Sequence, residues 1–268
     1  MEHLSTVSAN KPLIIAHRGA SAIAPENTLA AFARSLGEGA DGFELDVRLT
    51  RDGVPVVIHD ATLRRTGLCE GSISEMTLKE LSPISVGDWF NLTWPRLARA
   101  DYSREVVPTL DQVLSLFRVQ YPSDRSAIYI EMKAEKGAVE NALPRSVVKL
   151  IVQHDLRARA VVVSFDLQAL TQIKTIESAV RTGALFEPRR SAAKIMSGRP
   201  LIAAALDCGA DEILLHRLIA TRRLVGLAAE KELRSVVWTV DDAKWLGRAG
   251  DMGIHALITN NPAQVSAR

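Results

Sequence analysis

"PLIIAHRGASAIAPENTLAAFARSLGEGADGFELDV" (residues 12–47) carries the reading that decides the fold. Its first run, "LIIAH", is short and apolar, a segment of the kind that buries as a strand. In "NTLAAFARSLGEG", Leu29, Phe32, Ala33 and Leu36 recur at i, i+3, i+4 and i+7, which predicts an amphipathic helix. Asn27 is placed as its N-cap and Gly37 or Gly39 as its stop. "GFELDV" then reads as a second strand. The first strand of this strand–helix–strand unit ends on His17 and Arg18, an imidazole and a guanidinium.

The rhythm continues outward. "AIYIEMK", "AVVVSF", "TGALFE", "DEILLH", "SVVWTV" and "ALIT" are further strand-like runs with helical patterns between them. "TLDQVLSLF" carries a capping box, Thr109 with Gln112, and in the next helix Leu143, Val147, Leu150 and Ile151 share a face, with Pro144 near the start. Eight strands alternating with helices predict an α/β fold of the (β/α)8 TIM-barrel type rather than an open doubly wound sheet. No G-x-G-x-x-G follows the first strand, which weakens a dinucleotide-binding alternative. Residues 61–107 break the rhythm, with Gly71, Pro83, Gly87 and Pro95 among Trp89, Phe90 and Trp94 and no clean period. They are expected to form a small insertion after the second strand, packed over the barrel mouth of a single domain spanning 1–268.

Composition narrows the classes. Of the 268 residues 47% are hydrophobic, enough for a large core without disulfides. Cys69 and Cys208 have no metal-ligand spacing and read as free thiols in a reducing compartment. A net charge of +2 supplies no field for nucleic acid. The basic runs "EPRRSAAK" and "HRLIATRR" read more readily as solvated helix faces than as phosphate-facing loops. No apolar stretch approaches the roughly 20 residues of a membrane span, and "MEHLSTVSANK" lacks the two regions of a signal peptide. The expectation is a cytoplasmic protein with no nucleic acid partner and no stable membrane insertion; a homo-oligomer stays open.

The chemistry begins in "GFELDVRLT". Period-2 alternation puts Phe43, Leu45 and Val47 on one face and Glu44, Asp46 and Arg48 on the other. Two buried like charges repel unless neutralised, by a bound cation or by an ion pair with Arg48. Downstream, "RDGVPVVIHD" carries a D-G hairpin signal. A two-residue Asp52-Gly53 turn pairs Arg51 with Val54 and sets His59 opposite Asp46; a three-residue loop turns His59 away. In "AIYIEMK", Glu131 and Lys133 share a face, either as an internal ion pair or with Glu131 as a third carboxylate. Three carboxylates without cysteine favour a divalent Mg²⁺ or Ca²⁺ over Zn²⁺. His17 and His59 beside such a cation suit a phosphodiester, one activating the nucleophile and the other protonating the leaving alkoxide.

The block "AHRGASAIAPENTLAAFARSLGEGADGFELDVRLTRDGVPVVIHDATLRRTG" resembles the signature of the glycerophosphodiester phosphodiesterase family, and "VPTLDQVL", "IEMK", "VVSFD", "VWTVDD" and "ITNNP" resemble its later landmarks in order. The resemblance implies a TIM barrel, a divalent metal, and hydrolysis of glycerophosphodiesters to glycerol 3-phosphate and an alcohol. It places the acid–base pair on His17 and His59, the metal ligands on Glu44, Asp46 and Glu131, and phosphate-side cations on Arg18 and Lys133. Trp238 matches a family aromatic near the substrate, with a packed core tryptophan as the alternative. Glu26 and Asn27 are read as a cap and loop brace.

Gly67, Arg64, His255 and Asn260 depart from the family pattern and are expected to lie outside the acid–base and metal set. Two other readings compete: a catalytically silent phosphodiester-binding barrel, and a lysophospholipase D whose apolar groove would use Trp89, Phe90 and Trp94.

Overall fold

The computed structural model of the chain describes residues 11–133, 142–188 and 198–266. The expectations for "MEHLSTVSANK" and for "EPRRSAAK" fall almost wholly outside those residues. Every strand expected from the sequence forms. They are β1 (Leu13–His17), β2 (Gly42–Leu49), β4 (Ala127–Met132), β5 (Ala160–Ser164), β6 (Arg181–Phe186), β7 (Glu212–His216), β8 (Arg234–Trp238) and β9 (Ala256–Thr259). All run parallel, and β1 pairs with both β2 and β9, which closes an eight-stranded barrel. A short β3 (Pro55–Val57) stands outside the ring as the antiparallel hairpin partner of β2.

Helices alternate with the barrel strands, among them α1 (Leu29–Gly37) and α4 (Leu110–Gln120), while α2 (Leu78–Leu81) and α3 (Asp88–Thr93) lie between β3 and α4. The outward faces of the strands supply the core. Phe43, Leu45 and Val47 of β2 pack with Phe117, Val147 and Ile151, and Phe43 meets Phe117 edge-on at 5.5 Å. Each such fully buried side chain contributes about 1.5–3 kcal/mol. The barrel interior is itself filled, by Ile15, Tyr129, Val163, Leu214, Val236 and Ile258, so it is a packed core and not a channel. α4 is capped as expected, by Thr109 and Gln112.

Three local expectations are corrected. The N-cap of α1 is Thr28, whose hydroxyl accepts from the Ala31 N–H, because Asn27 is held elsewhere. The buried face of α1 is Ala31, Phe32 and Ser35, leaving Ala33 and Leu36 to solvent; Ser35 tolerates burial because its hydroxyl donates to the Ala31 carbonyl. Finally, the β2–β3 hairpin closes through a three-residue loop. Val47 faces Val57, Leu49 faces Pro55, and the Thr50 N–H donates to the Val54 carbonyl. Asp46 therefore lies opposite Ile58, whose N–H donates to the Asp46 carbonyl at 2.9 Å, and not opposite His59.

Residues 61–107 build two small cores. Leu63, Ile73, Leu81 and Val86 form one with Val56 and Ile58. Phe90 and Tyr102 form the other against Ala24 and Ala31, and the Tyr102 hydroxyl donates to the Ile23 carbonyl. This second core ties the segment to the loop between β1 and α1.

Candidate active site

The polar groups gather where the barrel strands end. Strand register does most of the assembly: His17 is the lateral neighbour of Glu44, and Asp46 the neighbour of Glu131. Glu44 and Asp46 are inward-facing and buried, at 3% and 0% exposure. Carboxylate oxygens from Glu44, Asp46 and Glu131 lie within 4.8 Å of one another.

Two cations face these three anions. Lys133 Nζ sits 2.8 Å from Asp46 Oδ1 and 2.5 Å from Glu131 Oε1, and Arg18 Nε sits 3.1 Å from Asp46 Oδ2. The carboxylates outnumber these cations, and the cost of that excess falls on the ionised form of Glu44. Burial, reinforced by Asp46 and Glu131, pushes the Glu44 carboxyl well above its usual range. Asp46 moves the other way: against the effect of burial, Lys133 and Arg18 hold it far below. A buried, all-oxygen, under-neutralised cluster fits a hard divalent cation. Such an ion would be held by Glu44, Asp46 and Glu131.

His17 ends β1 with Nδ1 2.7 Å from Asn260 Oδ1 and Nε2 3.9 Å from Glu44 Oε2. Burial and the neighbouring Arg18 charge lower its pKa to about 4, so the ring is neutral near pH 7. The turn after it needs backbone that L-residues rarely adopt. Arg18 has φ 56°, and Gly19 has φ 79° with any Cβ landing 2.6 Å from the Ala31 carbonyl carbon. That turn aims the Arg18 guanidinium at Asp46 and Glu26, and its N–H at Glu44 Oε2, 3.1 Å away.

His59 reaches the site despite the shifted register. β3 ends at Val57, and both Nε and one Nη of Arg48 donate to the His59 carbonyl at 2.8–2.9 Å, turning the chain inward. His59 then borders the same open cavity of about 500 Å³ as His17, Arg18, Glu44, Glu131 and Lys133. Burial depresses its pKa, assisted by Arg18 and Lys133 and opposed by Asp46 and Asp60. Its Nδ1 lies 2.6 Å from Asp60 Oδ1. Trp238 also borders the cavity, edge-on to Phe165 at 5.7 Å and to His216 at 5.2 Å.

Several site residues escape a sequence reading. Asn27 Nδ2 donates to Asp46 Oδ2 at 2.7 Å from a left-handed backbone, φ 57°. Its place in "APENT", just after a strand end, was the available signal. Asn260, expected to lie apart from the acid–base set, instead touches His17; its own Nδ2 donates to Asp241 Oδ2 at 2.8 Å, which orients the amide oxygen toward the imidazole. Only the closure of β9 onto β1 brings these residues together. Asp60 and Arg65 complete the ring of contacts, Arg65 Nε donating to Asp60 Oδ2 at 2.6 Å.

Barrel and buried acidic cluster suit a hydrolase of the phosphodiesterase class, and likeness to known proteins shows that class. The profile of the glycerophosphoryl diester phosphodiesterase family matches residues 17–264, and the chain belongs to that family. It is 30% identical over 260 residues to the glycerophosphodiester phosphodiesterase of Caldanaerobacter subterraneus subsp. tengcongensis, covering 94% of this chain and 95% of that one. Among solved structures, an Oleispira antarctica phosphodiesterase in complex with the product sn-glycerol-3-phosphate aligns with a TM-score of 0.80 at 25% identity, over 96% of both chains. The glycerophosphodiester phosphodiesterase of Agrobacterium tumefaciens aligns with a TM-score of 0.77 at 25% identity, over 96% of this chain and 100% of that one.

Proposed function

We propose that the protein hydrolyses glycerophosphodiesters to glycerol 3-phosphate and an alcohol, with His17 and His59 as the acid–base pair. The observation that carries this reading is the convergence of two carboxylates, Glu44 and Glu131, two imidazoles and two fixed cations on one open cavity, with the buried Asp46 carboxylate within 4.8 Å of the other two. Glu44, Asp46 and Glu131 hold a divalent cation, Mg²⁺ or Ca²⁺. When bound, that ion supplies Lewis-acid polarisation of a non-bridging phosphoryl oxygen.

Arg18 and Lys133 bind the phosphodiester charge. The planar fork of Arg18 suits two phosphate oxygens, while Glu26 and Asp46 hold it in place. Both histidines bond through Nδ1, to Asn260 and to Asp60, so each keeps Nε2 for proton transfer. One takes a proton from the attacking nucleophile; the other gives a proton to the departing alkoxide. Trp238 offers the leaving alcohol an apolar wall. The lysophospholipid alternative loses its support, since Phe90 is fully buried in the Tyr102 core and neither Trp89 nor Trp94 is among the described residues bordering the cavity.

The test separates proton movers from metal holders. His17→Ala and His59→Ala are expected to stay folded and bind metal while losing about 10²–10⁴-fold in turnover of glycerophosphocholine. Glu44→Ala and Asp46→Ala are expected to lose metal affinity, read by calorimetry, together with turnover. A nitrophenyl ester needs little protonation as it leaves, so it rescues the variant that lacks the acid and not the one that lacks the base. Normal turnover in both histidine variants, or loss of metal binding in both, defeats the assignment.

A further inference from the structure

Arg65 lies in the segment between β3 and α4, outside the barrel, yet its guanidinium is committed to two carboxylates of the site. Nη1 and Nη2 donate to Glu26 Oε2 and Oε1 at 2.8 and 2.7 Å, and Nε donates to Asp60 Oδ2 at 2.6 Å. Glu26 is the anchor, since it is itself gripped by Arg18 at 2.9 Å. Asp60 is the lever. It spends Oδ2 on Arg65 and Oδ1 on His59 Nδ1, 2.6 Å away, so a single carboxylate joins the guanidinium to the imidazole. The Trp89 ring of α3 lies under the guanidinium, 5.6 Å from centroid to Cζ, and keeps it from swinging into solvent.

Ion pairs as exposed as these contribute little to stability. Their geometry nevertheless requires arginine: three donors in one plane reach two carboxylates on different sides, which an ammonium cannot copy. A carboxylate clamped on one oxygen can present the other only in a fixed direction. A histidine that donates from Nδ1 to that oxygen is held in one tautomer and one ring orientation.

We infer that Arg65 is a positioning residue for the reaction: through Asp60 it locks the His59 ring with Nδ1–H toward the carboxylate and Nε2 toward the cavity. The inference rests on the acid–base role proposed for His59. It gives the segment between β3 and α4 a catalytic duty, that of carrying the guanidinium that orients a barrel-mouth histidine.

Arg65→Gln is expected to lower kcat for glycerophosphocholine by about 10–100-fold, the scale for loss of an orienting contact, with KM and Mg²⁺ affinity little changed. Arg65→Lys is expected not to restore kcat. The decisive comparison is made in the His59→Ala background, where Arg65→Gln is expected to cost less than about two-fold, because residues acting as one unit are non-additive. An equal loss in both backgrounds, or no loss in either, overturns the inference. NMR of the His59 ring nitrogens gives a readout that needs no substrate: one Nδ1–H tautomer in the native protein and a tautomer mixture in Arg65→Gln. An unchanged single tautomer in the variant overturns the inference, whereas a native protein inactive on glycerophosphodiesters defeats the proposed function and leaves this measurement standing.

Discussion

His17 is flanked by two groups of opposite effect, Asn260 on Nδ1, which favours the charged ring, and Arg18, which disfavours it. With burial the balance falls on the neutral side, at a pKa of about 4. Asn260→Asp tests this directly. A carboxylate against Nδ1 stabilises the imidazolium, so the His17 pKa is expected to rise from about 4, read by NMR titration. The same change removes the amide donor to Asp241 and sets two carboxylates against each other, so the variant is expected to melt earlier near neutral pH. A His17 pKa that stays put rules out Asn260 as its controlling contact. Asn260→Ala, which leaves the ring unanchored, is expected to lower turnover by about ten-fold while sparing metal affinity.

Hairpin, barrel strand and helix differ in how much of each was legible. Alternation placed Glu44 and Asp46 inside and Phe43, Leu45 and Val47 outside, because a strand face is a strict two-residue period. The eight strands followed instead from short apolar runs set between helical patterns. Loop length did not follow, because a D-G pair serves a two-residue turn and a three-residue loop alike. Here Thr50 decides between them, its hydroxyl donating to Asp52 Oδ1 at 2.6 Å and accepting from the Val54 N–H at 2.9 Å. Asn27 was misread as a cap because its partner, Asp46, is 19 residues away. Asn260 was missed for the same reason at 243 residues from His17. The hairpin register is held by buried Val56 and Val57 and by the grip of Arg48 on the His59 carbonyl, not by the exposed loop. One glycine inserted between Asp52 and Gly53 is therefore expected to leave turnover nearly intact, since lengthening an exposed loop costs little. One glycine inserted between Ile58 and His59 is expected to cost about 10²-fold or more in turnover, with metal binding retained. Equal activity in the two insertion variants removes the register argument.

The molecule as a whole stores charge at its mouth and a further depressed histidine, His255, in a separate cavity. Because the carboxylate cluster exists only in the folded barrel, a cation bound there stabilises by linkage, by about 2.7 kcal/mol at a hundred times its dissociation constant. Chelation with EDTA is expected to abolish turnover and lower Tm, and Mg²⁺ or Ca²⁺ to restore both; full activity after exhaustive chelation removes the metal from the reaction. Acid acts in part through the histidines. His255 precedes β9, and burial with Arg234 and Arg181 nearby lowers its pKa to about 4, as burial and Arg18 do for His17. The unfolded chain binds these protons near pH 6.5 and the folded chain only near 4, so between those values the unfolded state holds more protons. Stability is then present in full above pH 6.5 and is lost as pH falls toward 4. Glu44, whose pKa is raised, acts with the opposite sign, so the net slope of Tm does not isolate either group. A difference between two proteins does. His255→Gln cannot titrate and lies in a cavity with Arg181 and Arg234, among residues separate from those around His17. It is expected to flatten the fall of Tm between pH 6.5 and 4 relative to the native chain, while its turnover at pH 7 stays unchanged. Parallel Tm profiles for the two proteins show that His255 ionises alike in the folded and unfolded chains.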